Sequence, residues 1–150
     1  MGAYQTVMAG TDGSETSLRA VDRAAEVARD SGATLVLVCA YFPYSSAEVQ
    51  EMQDDMGDAA YQVVGSAPAE QTLHTAHDRA ATQGARDIKT VALEGKAVEI
   101  LVHAVDEHRA DLLVVGDRGL NTLTGRLLGS VPSGVARNAR CDVLIARTKA

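Results

Sequence analysis

Short apolar segments alternate along the chain with segments whose apolar residues recur every three or four positions. The former predict β-strands and the latter predict amphipathic α-helices. A continuous apolar run, as over 34–40, is typical of a strand covered on both faces. The alternation over 87–93 is typical of a strand near the edge of a sheet. The five strands predicted in this way cover residues 4–9, 34–40, 87–93, 111–116 and 142–146.

Four helices are predicted between these strands. The first carries Leu18, Val21, Ala25 and Ala28 on one face, and Gly32 follows where a C-terminal cap is expected. The second helix is predicted over about 68–83, and Gly84 ends it. The third carries the apolar stripe of Ala97, Leu101 and Val105, and the fourth is predicted over about 130–139.

The order of these elements predicts a single α/β domain over residues 1–150. Because strands and helices alternate, right-handed crossovers build a doubly wound, five-stranded parallel sheet with helices on both faces. Ligands of such sheets bind beyond the carboxyl ends of the strands, where the strand order reverses. This rule predicts that the ligand site is formed by two loops, 10–14 and 116–130, which are called the nominated loops below. The acidic stretch 42–65 fits neither pattern and is predicted to be an excursion with a helical turn or two, either a solvated face or a lid.

Composition and charge restrict the class of function. Aromatic residues make up 3% of the chain and Trp is absent, so the core is expected to consist of Val, Leu, Ile and Ala. The net charge of −6 argues against nucleic acid or an anionic membrane as partner. No apolar run approaches the roughly 20 residues of a membrane span, and the first residues lack a secretory signal. Cys39 and Cys141 lie in or beside apolar segments, as buried reduced thiols do. These features predict a cytoplasmic protein.

The second nominated loop is rich in glycine and leads directly into a helix. Glycine lets backbone N–H groups line a concave anion site, and the free N–H groups of the following helix point back into the loop. Ser130 is expected to cap that helix, and Arg118 and Arg126 can add charge-assisted contacts. On these residues alone, a phosphate site and a set of glycine-shaped turns are equally supported. The chain contains neither the dinucleotide-binding G-x-G-x-x-G after its first strand nor a P-loop motif.

The spacing of these glycines resembles a known signature. Gly116, Gly119 and the pair Gly129-Ser130 are separated by two and by nine residues, as in the G-2x-G-9x-G-(S/T) motif of ATP-binding universal stress proteins. The segment 10–14 after the first strand and the last strand are also similar to that family. The likeness covers the whole chain apart from 42–65, and it implies the flavodoxin-like or Rossmann-like fold already predicted.

The resemblance implies a nucleotide-binding protein that acts as a sensor, reservoir or regulator. Its ligand would be ATP or another adenine nucleotide such as AMP or cyclic AMP, with or without Mg²⁺, and no prosthetic group or resident metal is implied. Asp12 would approach the ribose or base, and Ala40 would lie at the adenine. The family often forms homodimers through its last strand, here 142–147. The implied nucleotide-binding residues, together with the two loop arginines, are Gly10, Thr11, Asp12, Ala40, Gly116, Arg118, Gly119, Arg126, Gly129, Ser130 and Val131.

Three other functions remain open at this point. A slow ATPase or nucleotide hydrolase would need a positioned base, and only Asp12 qualifies. A stress-related interaction protein could act without nucleotide, although the intact glycine signature speaks against it. A flavodoxin-like carrier would have to stack its flavin on Tyr41 or Tyr44. His74 and His77 lie three residues apart on one predicted helix, where a polar helix face is favoured over a metal site.

Overall fold

The computed structural model describes residues 2–42, 63–64, 66–117 and 130–147. Strands and helices alternate along the chain as predicted. The strands are β1 (Thr6–Gly10), β2 (Thr34–Phe42), β3 (Val63–Val64), β4 (Asp87–Glu94), β5 (Leu112–Gly116) and β6 (Asp142–Ala146). The helices are α1 (Glu15–Ser31), α2 (Ser66–Thr82), α3 (Ala97–His108) and α4 (Ser130–Asn138).

The described strands form one parallel sheet. Its five longer strands lie in the order β4-β2-β1-β5-β6. From β1 the chain proceeds outward to β2 and β4 on one side, and then returns to β5 and β6 on the other side. The strand order therefore reverses between β1 and β5, where Ala9 is level with Val114. The predicted five-stranded, doubly wound sheet is confirmed.

Two hydrophobic clusters cover the two faces of the sheet, because successive side chains of a strand point to opposite sides. On one face Val7, Leu35 and Val114 pack with residues of α1 and α2. On the other face Met8, Val36 and Leu113 pack with residues of α3 and α4. Alanines make up much of the helix surface in the first cluster, so these helices lie close to the sheet. Apolar residues on both faces of β1, β2 and β5 explain why these segments read as continuous apolar runs.

The second strand is longer than predicted, and a short sixth strand accompanies its end. β2 continues through Tyr41 and Phe42, and these two residues pair with Val63 and Val64 of β3. Ala40 was predicted to end the strand, which is wrong. Aromatic residues favour strands, but the acidic residues that follow them obscured the extension. A two-residue strand is too short to leave a periodic pattern. Most of the predicted excursion 42–65 lies outside the described residues.

An arginine joins α1 to α2 next to the first nominated loop. The Arg79 guanidinium donates two hydrogen bonds to Asp22, at 2.8 and 2.9 Å, and two to Glu15, both at 3.1 Å. These hydrogen bonds and the charge of Arg79 hold the pKa of Glu15 below its ordinary value. Farther toward the start of α2, Thr72 borders Gly13, which has a φ of +86°. The paired helices therefore brace the loop from one side.

A glycine allows α4 to lie against α3. A Cβ atom added at Gly134 would come within 2.8 Å and 3.0 Å of the two methyl carbons of Val98. Val98 lies in the first turn of α3 and Gly134 lies in the middle of the short helix α4, so the start of α3 packs against α4 within about one turn of its first residue. The amino-terminal ends of both helices lie at the carboxyl edge of the sheet.

We expect Gly134→Val to destabilise the protein by about 1–3 kcal/mol, because the branched side chain overpacks this contact. The double variant Gly134→Val/Val98→Ala removes both methyl groups and should recover most of the loss. Urea denaturation of the two single variants and the double variant gives the coupling free energy. Additive effects of the two substitutions would contradict the close helix contact.

Candidate functional site

The two glycines that end the central strands lie at the point where the strand order reverses. Gly10 ends β1 and Gly116 ends the adjacent β5. At Gly10 the packing of the fold itself favours glycine, because an added Cβ would lie 2.9 Å from a methyl carbon of Leu101 in α3, which would have to move. The structure thus brings together the starts of both nominated loops.

Thr11 holds the first loop from within. Its backbone N–H donates to the carbonyl oxygen of Val38 at 2.9 Å. Its hydroxyl accepts a hydrogen bond from the N–H of Gly13 at 3.1 Å and lies 2.8 Å from the Ser17 hydroxyl. The residue is only 7% exposed. Its side chain is therefore engaged inside the loop, and a ligand could meet only its backbone.

Asp12 is fixed through one carboxylate oxygen. Its Oδ1 accepts hydrogen bonds from the N–H of Ser14 at 2.9 Å and from the Ser14 hydroxyl at 2.6 Å. Ser14 is also the N-cap of α1 and accepts from the N–H of Ser17 at 3.3 Å. Ser14, and not Asp12, therefore caps the helix. Among the described residues its Oδ2 has no hydrogen-bond partner.

A gap in the sheet lies beside Ala40. The bonds Thr11 N–H to Val38 and Gly95 N–H to Tyr41 show that even-numbered residues of β2 face β1 and odd-numbered ones face β4. The backbone N–H and carbonyl of Ala40 therefore point to the β1 side. β1 has ended there, and the parallel pairing of Tyr41 with Val63 of β3 uses the carbonyl of Ala40 but not its N–H. Within the described chain the Ala40 N–H has no partner.

The Asp12 carboxylate lies close to the same gap. Burial raises the pKa of the neighbouring Cys39 thiol to about 12, and the negative charges of Asp12 and Glu70 add to this effect. The thiol stays protonated at neutral pH and is not a nucleophile. One edge of the sheet thus presents an open amide and one carboxylate oxygen. This set can bind a polar, planar group with both donors and acceptors.

The second loop begins at Asp117, whose N–H donates to the carbonyl oxygen of Ala146 at 2.9 Å. The described part of the helix after the loop is Ser130–Asn138, and the residue before it lies outside the described chain, so the cap function of Ser130 stays a prediction. Ser130 is exposed. Val131 is half-buried and packs against the cluster beneath α3 and α4, so only its backbone faces the loop. The amino-terminal turn of α4 can bind an anion through its free N–H groups.

Four predicted site residues lie outside the described part of the chain. They are Arg118, Gly119, Arg126 and Gly129. The structure therefore brings together Gly10, Asp12, Ala40 and Gly116 at one edge, and it sets Ser130 and Val131 at the start of α4 on one face of that edge.

Two charged residues at this edge were not singled out from the sequence. Lys96 is the N-cap residue of α3, with no side-chain capping bond, in a position where a cation opposes the helix dipole. Asp117 directly follows Gly116 and is the second carboxylate, with Asp12, to follow a central strand. Both could have been predicted from the rule that ligands bind beyond the carboxyl ends of parallel strands. Lys96 lies two residues after β4, and Asp117 is the first residue after β5.

The described residues do not assemble a metal site. His74 and His77 lie 3.5 and 3.4 Å from the Asp78 carboxylate on α2. Within residues 2–42, 63–64, 66–117 and 130–147 no three metal-ligating side chains converge. The part of the chain that is described also contains no helix long and apolar enough to cross a membrane.

Comparison with known proteins identifies close relatives. The model of the universal stress protein family matches residues 3–147. A universal stress protein of Mycobacterium tuberculosis strain H37Rv is 48% identical over 148 residues, with 99% of each chain covered.

Solved structures show the same fold. A crystal structure of a universal stress protein in complex with cAMP is 47% identical, covers 99% of this chain and 100% of its own, and superposes with a TM-score of 0.77. UspA of Lactobacillus plantarum, at 23% identity, shares the fold with a TM-score of 0.73 over 98% of this chain and 100% of its own. With its fold, its glycine-ended central strands and a family match over nearly its whole length, the chain belongs to the universal stress protein family.

Proposed function

We propose that this chain is a single nucleotide-binding domain that binds an adenine nucleotide at the edge where β1 and β5 end, and that it acts as a sensor, reservoir or regulator. One observation carries the proposal. The sheet is interrupted beside Ala40, and there a backbone N–H and one oxygen of Asp12 have no partner in the described chain. Adenine carries an amine and ring nitrogens that fit such a set of donors and acceptors.

The charges of the edge support one orientation of the ligand. The carboxylate of Asp12 repels phosphate, so the base and ribose lie on the β2 side, near Ala40. The phosphate lies on the α3 and α4 side, where two helices present their positive ends and Lys96 adds a cation. Gly116, Gly119, Gly129, Ser130 and Val131 then hold the phosphate, and Gly10 and Thr11 line the approach from β1. In this arrangement Arg118 and Arg126 contact phosphate oxygens, and Arg126→Ala weakens binding.

The two carboxylates favour a ligand of low charge. Asp12 and Asp117 follow adjacent strands, Asp12 at the proposed base and ribose end and Asp117 at the proposed phosphate end. Cyclic AMP carries one negative charge, whereas free ATP carries about four and is repelled more strongly. The 47% identical relative that was crystallised with cAMP supports the same choice. Calorimetric titration with cyclic AMP, AMP and ATP tests it, with cyclic AMP expected to bind without added metal ions.

Magnesium should matter for ATP and not for cyclic AMP. Mg²⁺ binds through one or two carboxylates together with phosphate oxygens, and Asp117 is the carboxylate nearest in sequence to the proposed phosphate position. We expect Mg²⁺ to tighten ATP binding about tenfold, and Asp117→Asn to remove most of this gain without changing the affinity for cyclic AMP. Titrations with and without Mg²⁺ measure both effects. An unchanged gain in the variant would exclude Asp117 from the metal site.

Binding without turnover is the activity we propose. No described histidine follows a strand, so among the described residues Asp12 or Asp117 would have to act as base. A slow ATPase would release phosphate at a rate proportional to enzyme concentration, and Asp12→Ala or Asp117→Ala would abolish that release. Absence of release from ATP over hours, with binding intact, supports the binding module. We also propose that the protein works in the cytoplasm, where the buried thiol of Cys39 stays reduced.

We further propose a homodimer through the last strand, residues 142–147. In the described chain β6 pairs only with β5. The bond from the N–H of Asp117 to Ala146 shows that even-numbered residues of β6 face β5. The N–H groups of Val143 and Ile145 therefore point to the open edge, where a second copy can pair.

We expect Ile145→Pro to convert the dimer to a monomer, because proline removes one of these outward N–H donors. Thr90→Pro is the matched control. Thr90 lies on β4, the opposite edge strand, and its N–H also points away from the sheet. Sedimentation velocity should show a dimer for the wild type and for Thr90→Pro. A dimer that survives Ile145→Pro would locate the interface elsewhere.

A further inference from the structure

Ser14 connects the start of α1 to the carboxylate at the sheet edge. Its hydroxyl has one hydrogen, which it donates to Oδ1 of Asp12 at 2.6 Å. The same hydroxyl oxygen then accepts from the N–H of Ser17 at 3.3 Å and caps the helix. Because a hydroxyl has one donor and two acceptor sites, both contacts can exist at once. The position of α1 therefore fixes Ser14, and Ser14 fixes Asp12.

The two hydrogen bonds from Ser14 converge on one oxygen of Asp12. The backbone N–H donates to Oδ1 at 2.9 Å, and the hydroxyl donates to that same atom. Among the described residues, nothing holds Oδ2. Rotation of the carboxylate about its Cβ–Cγ bond would exchange the two oxygens. The hydroxyl is the shorter of the two contacts and opposes this rotation most strongly.

Of the two hydroxyls that contact Ser14, that of Ser17 holds it in place. The Ser17 hydroxyl donates to the Ser14 carbonyl oxygen at 2.9 Å and lies 2.8 Å from the Thr11 hydroxyl. The Thr16 hydroxyl lies 3.2 Å from that of Ser14 but forms no bond with Asp12. Removal of the Ser14 hydroxyl is thus expected to change the orientation of the Asp12 carboxylate, whereas removal of the Thr16 hydroxyl is not.

We infer that Ser14 is a positioning residue for ligand binding, which holds Asp12 so that its Oδ2 accepts a hydrogen bond from the nucleotide. The inference rests on the proposed nucleotide site and names the recognition at its base and ribose end. The ligand group must be a hydrogen-bond donor, because an ionised carboxylate only accepts. In an adenine nucleotide the donors are the ribose hydroxyl and the exocyclic amine.

Four variants separate positioning from helix capping. Ser14→Ala removes both the cap and the bond to Asp12. Ser14→Gly removes the hydroxyl but keeps an acceptable N-cap, because glycine costs a helix only a little at this position. Ser14→Thr retains the hydroxyl, and Thr16→Ala is the matched control in the same turn. Each is titrated with cyclic AMP by calorimetry, alongside its melting temperature.

We expect Ser14→Ala and Ser14→Gly to weaken cyclic AMP binding about five- to tenfold, the effect of weakening one charge-assisted hydrogen bond. Ser14→Ala should also lower the melting temperature by several degrees, while Ser14→Gly should lower it by much less. Ser14→Thr and Thr16→Ala should bind as the wild type does. In an Asp12→Ala background the substitution Ser14→Gly should have no further effect on affinity.

Two analogues identify the donor that Asp12 meets. If it is the ribose hydroxyl, 2′-deoxy cyclic AMP binds wild type and Ser14→Gly equally weakly, whereas cyclic IMP retains the difference between the two proteins. If it is the exocyclic amine, cyclic IMP, which lacks that amine, removes the difference instead. Either result supports the inference, and a difference that persists with both analogues overturns it.

The remaining outcomes separate this inference from the proposed function. Wild-type protein that binds none of the adenine nucleotides overturns both. Wild-type protein that binds cyclic AMP while Ser14→Gly binds it equally well overturns the inference and leaves the proposed function standing. A loss in Ser14→Gly that persists in the Asp12→Ala background also overturns it, because the effect would not pass through Asp12.

Discussion

Gly116→Val is expected to weaken the binding of cyclic AMP and ATP by at least about 100-fold while the protein remains folded. Side chains of β5 alternate between the faces, with Val114 toward α1 and Val115 toward α3 and α4. A side chain at position 116 therefore points to the α1 face, on the side of the Asp12 loop. The valine side chain therefore occupies space that the proposed ligand needs where it extends from Asp12 to the start of α4.

A graded series and a stability measurement make this prediction specific. Gly116→Ala adds one carbon and should cost less affinity than Gly116→Val. Valine favours strands, so the melting temperature of Gly116→Val should stay near that of the wild type. Wild-type affinity in Gly116→Val would show that the ligand does not cross the end of β5. A joint loss of affinity and folding would leave Gly116→Ala as the deciding variant.

Leu113→Ala is expected to destabilise the protein by about 3–4 kcal/mol, the largest stability effect of any substitution considered. Leu113 is fully buried in the middle of β5. It is level with Met8 on β1 and Val143 on β6 and packs in the cluster beneath α3 and α4. Truncation loses the transfer free energy of three carbons and leaves a cavity that strands on both sides prevent from closing.

Leu113→Met is the matched control, because it nearly conserves volume and should cost less than about 1.5 kcal/mol. Urea denaturation gives both values, and a loss of about 10 °C in melting temperature should accompany the alanine variant for a domain of this size. A cost below about 1 kcal/mol for Leu113→Ala would mean that α3 and α4 do not close this face of the sheet.

The sequence predicted the architecture because the fold depends on strong periodic signals. Three central strands are buried on both faces and read as continuous apolar runs, and the helices between them carry one apolar stripe each. The C-terminal cap of α1 was also predicted, and Gly32 has the left-handed φ of 65° that such a cap requires.

Local details were harder to predict, because they depend on contacts between segments distant in sequence. The length of β2 depends on β3 and β4, which pair with Tyr41 from opposite sides. The glycine at position 10 was attributed to ligand approach, but the close packing of Leu101 in α3 also favours it. No local pattern reveals that contact across 91 positions.

The candidate site was predicted in location more fully than in mechanism. The rule on carboxyl ends of strands located Gly10, Asp12 and Gly116 correctly at one edge. It could not show that Thr11 turns its hydroxyl inward or that one oxygen of Asp12 is held by Ser14. These features depend on side-chain hydrogen bonds. The same loop sequence could form different hydrogen bonds with other side-chain rotamers, so the sequence does not determine which ones occur.

Titration of the nucleotide-free protein with cyclic AMP by isothermal calorimetry tests the central claim most directly, with Gly116→Val as the matched variant. The account predicts one site per chain, binding without added Mg²⁺, and loss of that binding in the variant. If neither cyclic AMP, AMP nor ATP binds the wild-type protein, with or without Mg²⁺, the proposed nucleotide site is contradicted.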